Sequence, residues 1–179
     1  ALNTCMEMID KLRDTTQSHD RCSVVEVMGR RAGYLALNVG IACGATSIIV
    51  PEIPFDFEKD IIERMFATSA TGKKHFIIIV AEGVGHVIEM SEKIQARTGI
   101  ETRATILGHV QRGGSPSLRD RVLASEMGYH AVLLLLDGKS NRVVTIQNDH
   151  ILDYDIEEAL QMKKPFDFEL YRMAHEISI

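Results

Sequence analysis

Short runs of β-branched and aliphatic residues alternate along this chain with helical stretches of ten or more residues. That alternation narrows the fold more than any other feature. Residues 23–27, 46–50, 75–81 and 102–107 read as strands. Between and around them, apolar residues recur with helical spacing over 2–13, 33–43, 57–69 and 86–98, with Gly99 placed to end the last of these. Farther on, 118–136 reads as a long apolar helix, 142–146 as a strand, and 156–162 and 168–176 as helices. Residues 14–20 read as a polar loop. Strands joined by helices favour an α/β fold of three layers, a mostly parallel sheet with helices on both faces. Ligands of such sheets sit outside the carboxyl ends of the strands.

Three segments follow strands directly: Met28-Gly29-Arg30, Glu82-Gly83 and His109-Val110-Gln111-Arg112. All three are therefore expected to face one crevice. Arg30 would combine a guanidinium with the backbone N–H groups of a strand-to-helix turn, as an anion requires; a solvated turn residue is the competing reading. Gly29 either shapes that turn or lets chain segments pack closely. Glu82 could accept hydrogen bonds from sugar hydroxyls or serve as an acid at a helix N-terminus. His109 and Arg112 stand beside Gly113-Gly114, with Ser115 as the expected N-cap and Pro116 as the first residue of the next helix. A structural histidine is the alternative for His109. Gly83-Val84-Gly85 lacks the spacing of a dinucleotide fingerprint. Lys73-Lys74-His75 reads as a solvated turn or an anion site. Arg21 and Arg103 precede strands and belong at the opposite edge of the sheet.

Composition adds exclusions. A net charge of −5 disfavours general affinity for nucleic acid or anionic membranes. The longest apolar runs, 76–81 and 131–136, are too short to span a bilayer. No signal peptide is visible. Cys5, Cys22 and Cys43 are scattered and outside any CxxC, which suits reduced structural thiols in a cytoplasmic protein. Ala1 already lies within a helical pattern, as expected of a processed product or the later part of a longer protein.

The motifs resemble those of the phosphofructokinases, especially the bacterial ATP-dependent 6-phosphofructokinases. The carriers are Gly108-His109-Val110-Gln111-Arg112-Gly113-Gly114-Ser115-Pro116 with Asp120-Arg121, Val25-Glu26-Val27-Met28-Gly29-Arg30 with Gly33-Tyr34-Leu35, and Glu101-Thr102-Arg103-Ala104-Thr105. Ile146-Gln147-Asn148 and Met162-Lys163-Lys164-Pro165-Phe166 extend the likeness through the rest of the chain. The resemblance implies a phosphofructokinase-like, Rossmann-like half that transfers the ATP γ-phosphoryl to the 1-hydroxyl of fructose 6-phosphate in glycolysis. It implies that His109 and Arg112 hold the sugar's 6-phosphate and that Arg21 and Arg103 reach the same phosphate from a neighbouring subunit of a homotetramer. Met28, Gly29 and Glu82 would contact the sugar, and Arg30 would stabilise the transferring phosphoryl group.

By the same resemblance, Arg13 and Lys73 match an effector site. Thr46 and Thr71 replace an acid and a lysine there, which puts ADP and phosphoenolpyruvate regulation in doubt. The implied division is 1–111 for the fructose 6-phosphate domain, 112–161 for a segment returning to the nucleotide domain, and 162–179 for helices returning to the sugar domain. The nucleotide loops, the residues that hold Mg2+ with ATP and the catalytic base fall before Ala1 in the family pattern, so the chain alone is expected to be inactive. An apolar face around 131–136 would then lack cover. A diphosphate-dependent phosphofructokinase and a non-catalytic sugar-phosphate-binding module are the alternative readings.

Overall fold

A computed structural model describes residues 1–178. It divides into two compact units, Ala1–Gly114 with the chain from Phe166 onward, and Ser115–Pro165.

The first unit is built on four parallel strands, β1 (Cys22–Val27), β2 (Ser47–Ile49), β3 (Phe76–Ala81) and β4 (Thr102–Ile106), in the order β2-β3-β1-β4. β3 is apolar throughout and buried throughout, as befits a strand covered on both faces. Alternate side chains supply two cores. On one face Val25, Val27, Ile77 and Ile79 pack with Cys5 and Ile9 of α1 (Leu2–Ser18), Leu37 and Val39 of α2 (Tyr34–Ala42), and Ala174 of α7 (Phe168–Ile177). On the other, Val24, Ile78 and Val80 pack with Ile61, with Met65 of α3 (Arg64–Ala70), and with Met90 and Ile94 of α4 (Val87–Thr98). This unit is thus an α/β fold of three layers.

Local chemistry sets the boundaries. Gly99 ends α4 in the left-handed region at φ 74°. α1 runs on to Ser18 through the stretch expected to be a loop. Thr16, buried there, donates to Leu12 O and shares a 2.6 Å hydrogen bond with Ser23, so tertiary packing carries the helix past its polar residues. Residues 57–69 form a π-helical stretch, Glu58–Glu63, before the regular α3. All three cysteines are free and buried, and burial pushes the Cys22 thiol up to about 12. No helix among the described residues is long and apolar enough to cross a membrane.

The second unit contains α5 (Leu118–Leu136), an antiparallel pair of β5 (Arg142–Gln147) and β6 (His150–Asp155), and α6 (Ile156–Gln161). The cap of α5 is Ser117 rather than Ser115: its hydroxyl accepts from Asp120 N, and the Asp120 carboxylate accepts from Ser117 N. That reciprocal box satisfies two terminal donors at once, which Ser115 cannot do because the residue three ahead of it is Leu118. β6 lacks a clear strand pattern because His150-Ile151-Leu152-Asp153 carries polar residues at both ends. The hairpin is instead set by its turn, where Asn148 and Asp149 both take positive φ, 51° and 60°. Leu135 and Leu136 of α5 remain exposed.

Candidate functional site

In a parallel sheet the carboxyl ends of neighbouring strands lie side by side, and here the segments after β1, β3 and β4 meet through hydrogen bonds. Glu82, one residue beyond β3, accepts at Oε1 from Gly29 N at 3.2 Å and from Arg30 N. Gln111 Oε1 accepts from Met28 N at 3.0 Å, and Gln111 Nε2 donates to Gly108 O at 3.0 Å. The turn after β1 is therefore held from two sides. Its backbone is unusual: Gly29 has φ 151° and Arg30, a non-glycine residue, has φ 53°. A left-handed arginine costs about 1–2 kcal/mol, which the two charge-assisted bonds to Glu82 offset.

His109 and Arg112 sit on a 3-10 turn, Gly108–Arg112, that follows β4. Both side chains are exposed, as is that of Arg30. None of the three has a hydrogen-bond or ion-pair partner among the described residues. The neighbouring carboxylates are committed elsewhere. Glu82 holds the turn, and Glu26 on β1 is pushed above the usual carboxylate range by burial and then by the Glu82 charge. The turn's backbone N–H groups at Met28, Gly29, Arg30, Ala32 and Gly33 are taken up by protein acceptors, contrary to the expectation that they face an anion. It is the exposed cations after the adjacent strands β1 and β4 that make these strand ends anion-receptive.

Arg21 and Arg103 lie at the other end of the sheet. Arg103 pairs in register with Ser23, four residues before Val27, which is roughly 13 Å along the strand. Both arginines converge on Glu101: Arg21 Nε donates to Oε2 at 2.8 Å, and Arg103 donates to Oε1 from Nε at 2.9 Å and Nη2 at 2.7 Å. Those bonds, Arg21's first, hold the Glu101 carboxyl below its usual range. The pair borders a cleft of about 210 Å3 with Leu12, Thr15 and Thr105.

A third cationic cluster surrounds Arg13. Its Nε and Nη2 are buried without a partner among the described residues. Burial, then repulsion from Arg13, pushes the Lys73 ammonium down, and burial with repulsion from Lys73 and Arg13 lowers His75. Thr71 donates to Thr68 O at 2.7 Å at the end of α3, while the hydroxyl of Thr46 is buried and has no partner among the described residues. No group of three or more His, Cys, Asp or Glu side chains that could hold a metal ion occurs among the described residues.

Gln111, Glu101 and Glu52 are additions to the residues expected from sequence. Glu101 is legible there, because strand alternation puts it on the same face as Arg103 two residues later. Glu52 accepts from Gly33 N at 2.8 Å, fixing the far end of the turn after β1.

The phosphofructokinase family model matches residues 1–135. The chain belongs to the phosphofructokinase family. It is 53% identical over 179 residues to an ATP-dependent 6-phosphofructokinase of Bacillus cytotoxicus and 55% identical over 178 residues to ATP-dependent 6-phosphofructokinase 1 of Clostridium perfringens. It covers 100% and 99% of itself in those matches but only 56% of either relative, so it spans little more than half their length. A phosphofructokinase structure from Saccharomyces cerevisiae superposes with a TM-score of 0.82 at 31% identity, over 89% of this chain and 23% of that one. Within this phosphofructokinase chain, the family match takes in all three cationic clusters.

Proposed function

We propose that the chain is the sugar-phosphate part of an ATP-dependent 6-phosphofructokinase, forming fructose 1,6-bisphosphate in the glycolytic cytoplasm. One observation carries this reading: Glu82 clamps the turn after β1 with Arg30 in a left-handed backbone, and the adjacent strand β4 leads into the turn that bears His109 and Arg112, whose side chains have no partner among the described residues. The relatives' names supply the donor and acceptor, and the free, buried thiols fit the compartment.

In this reading His109 and Arg112 bind the 6-phosphate, while Met28 and Gly29 line the sugar. Glu82 uses Oε1 for the backbone, which leaves its second oxygen to accept from a sugar hydroxyl. Arg30 offsets negative charge on the phosphoryl group as it transfers, the main demand of such chemistry. Magnesium enters with ATP and is assigned to residues outside this chain; no step here passes through it. Arg13 and Lys73 form an effector site for a phosphorylated anion, with Thr46 and Thr71 weakening its response to nucleotide and phosphoenolpyruvate.

Arg21 and Arg103 are too far along the strands to share one phosphate with their own chain's Arg112. Their placement fits a homotetramer in which each sugar site borrows two arginines from a neighbour, with Glu101 keeping them aligned between turnovers. In a full-length enzyme carrying this sequence, Arg103→Ala should raise KM for fructose 6-phosphate at least about tenfold, the worth of one charge-assisted hydrogen bond. Arg112→Ala should do the same. Dissociating and reassembling the two variants together should recover activity, because some hybrid sites carry neither substitution. A mixture as weak as its parents would rule out the shared site.

A further inference from the structure

The turn after β1 carries the sugar contacts and the charge-stabilising arginine, yet its position relative to His109 and Arg112 depends on a residue that no exposed surface reveals. Gln111 is 1% exposed, although its neighbours on the same 3-10 turn, Val110 and Arg112, are exposed. Three hydrogen bonds hold its side-chain amide, two at the oxygen and one at the nitrogen. Oε1 accepts from Met28 N at 3.0 Å and from the Cys5 thiol of α1 at 2.8 Å, and Nε2 donates to Gly108 O at 3.0 Å. A buried amide held at both its oxygen and its nitrogen ties together what it touches.

Building on the sugar-phosphate reading above, we propose that Gln111 is a positioning residue: it sets the spacing between the sugar-binding turn after β1 and the phosphate-binding turn after β4. Its two sequence neighbours on the chain point outward while it points in. It does not reach substrate. It fixes the distance at which His109 and Arg112 stand from Met28 and Gly29, and so the length of sugar phosphate that bridges them. Glu82 and Glu52 hold the later parts of the same turn, at Gly29, Arg30 and Gly33. Losing Gln111 therefore frees the Met28 end while Arg30 stays anchored.

The test uses steady-state kinetics of a full-length enzyme carrying this sequence, with Gln111→Met as an apolar side chain of similar length. KM for fructose 6-phosphate should rise by about 10-fold to 100-fold, the effect of a displacement near 1 Å in a binding constellation. KM for ATP should stay within about twofold and kcat within about threefold, since Arg30 keeps its anchor. Should Gln111→Met fail to fold, Gln111→Glu carries the test. It retains the acceptor for Met28 N, loses the donor to Gly108 O, and should give the same KM split at smaller size. A general loss of activity with KM for both substrates unmoved, or equal rises in both, would reduce Gln111 to a packing residue. An unsubstituted enzyme that does not phosphorylate fructose 6-phosphate would overturn the assigned function itself, and the positioning role with it. A working unsubstituted enzyme with unshifted variants would overturn the positioning role alone.

Discussion

Replacing Arg30 by Ala should lower kcat for fructose 6-phosphate phosphorylation by about 1,000-fold, the low end of what a cation aligned on a transferring phosphoryl group is worth. KM for the sugar should move by less than about threefold, because an interaction made mainly in the transition state leaves ground-state binding largely intact. The backbone sharpens this expectation. At φ 53°, Arg30 occupies a conformation that glycine adopts freely and arginine does not. If folding were its purpose, glycine would serve better. Arg30→Gly should therefore hold or raise thermal stability by up to about 1 kcal/mol while losing turnover as fully as Arg30→Ala. Melting curves measured beside the kinetics separate the two effects. Turnover retained in Arg30→Gly would show that the guanidinium has no part in the chemistry.

Gly83→Ala is the second large effect. A Cβ at Gly83 would stand 2.3 Å from Arg30 O and 3.3 Å from the Pro51 ring. The first contact is with backbone, so no side-chain rotation relieves it. The turn carrying Gly29 and Arg30 has to move by several tenths of an ångström or more, against the Glu82 carboxylate one residue away. Since displacements near 1 Å in a reacting geometry cost about 100-fold, kcat/KM should fall by that order. The forced backbone shift should also cost about 1–3 kcal/mol of stability, so the kinetics are measured well below the melting temperature of the variant. Gly83→Ala with unsubstituted kinetics would mean that the turn tolerates displacement, and that its clamped geometry is not what activity needs.

Much of this arrangement is legible in the amino-acid sequence. The strand-helix alternation puts Met28, Glu82 and His109 at carboxyl ends, and parallel pairing then requires those ends to be neighbours. Arg21 and Arg103 belong at the opposite edge by the same logic. Other features depend on contacts that leave no period in the sequence. Gln111 is polar inside a polar motif, and only the 3-10 turn, with Gly108 and Gln111 three residues apart, directs it inward. β6 is held by partner strand and turn rather than by its own composition. Ser117 takes the cap of α5 from Ser115 because its partner Asp120 lies one turn ahead, a pairing visible once the helix start is shifted by two residues.

The roles given to Arg30, His109, Arg112 and Glu82 all rest on one reaction. It is tested most directly by giving a full-length protein carrying this sequence fructose 6-phosphate with magnesium and either ATP or diphosphate, and following fructose 1,6-bisphosphate. Product with ATP and none with diphosphate is the predicted result. Product with diphosphate alone would move the chain to the other donor class, and no product with either would contradict the sugar-phosphate kinase assignment.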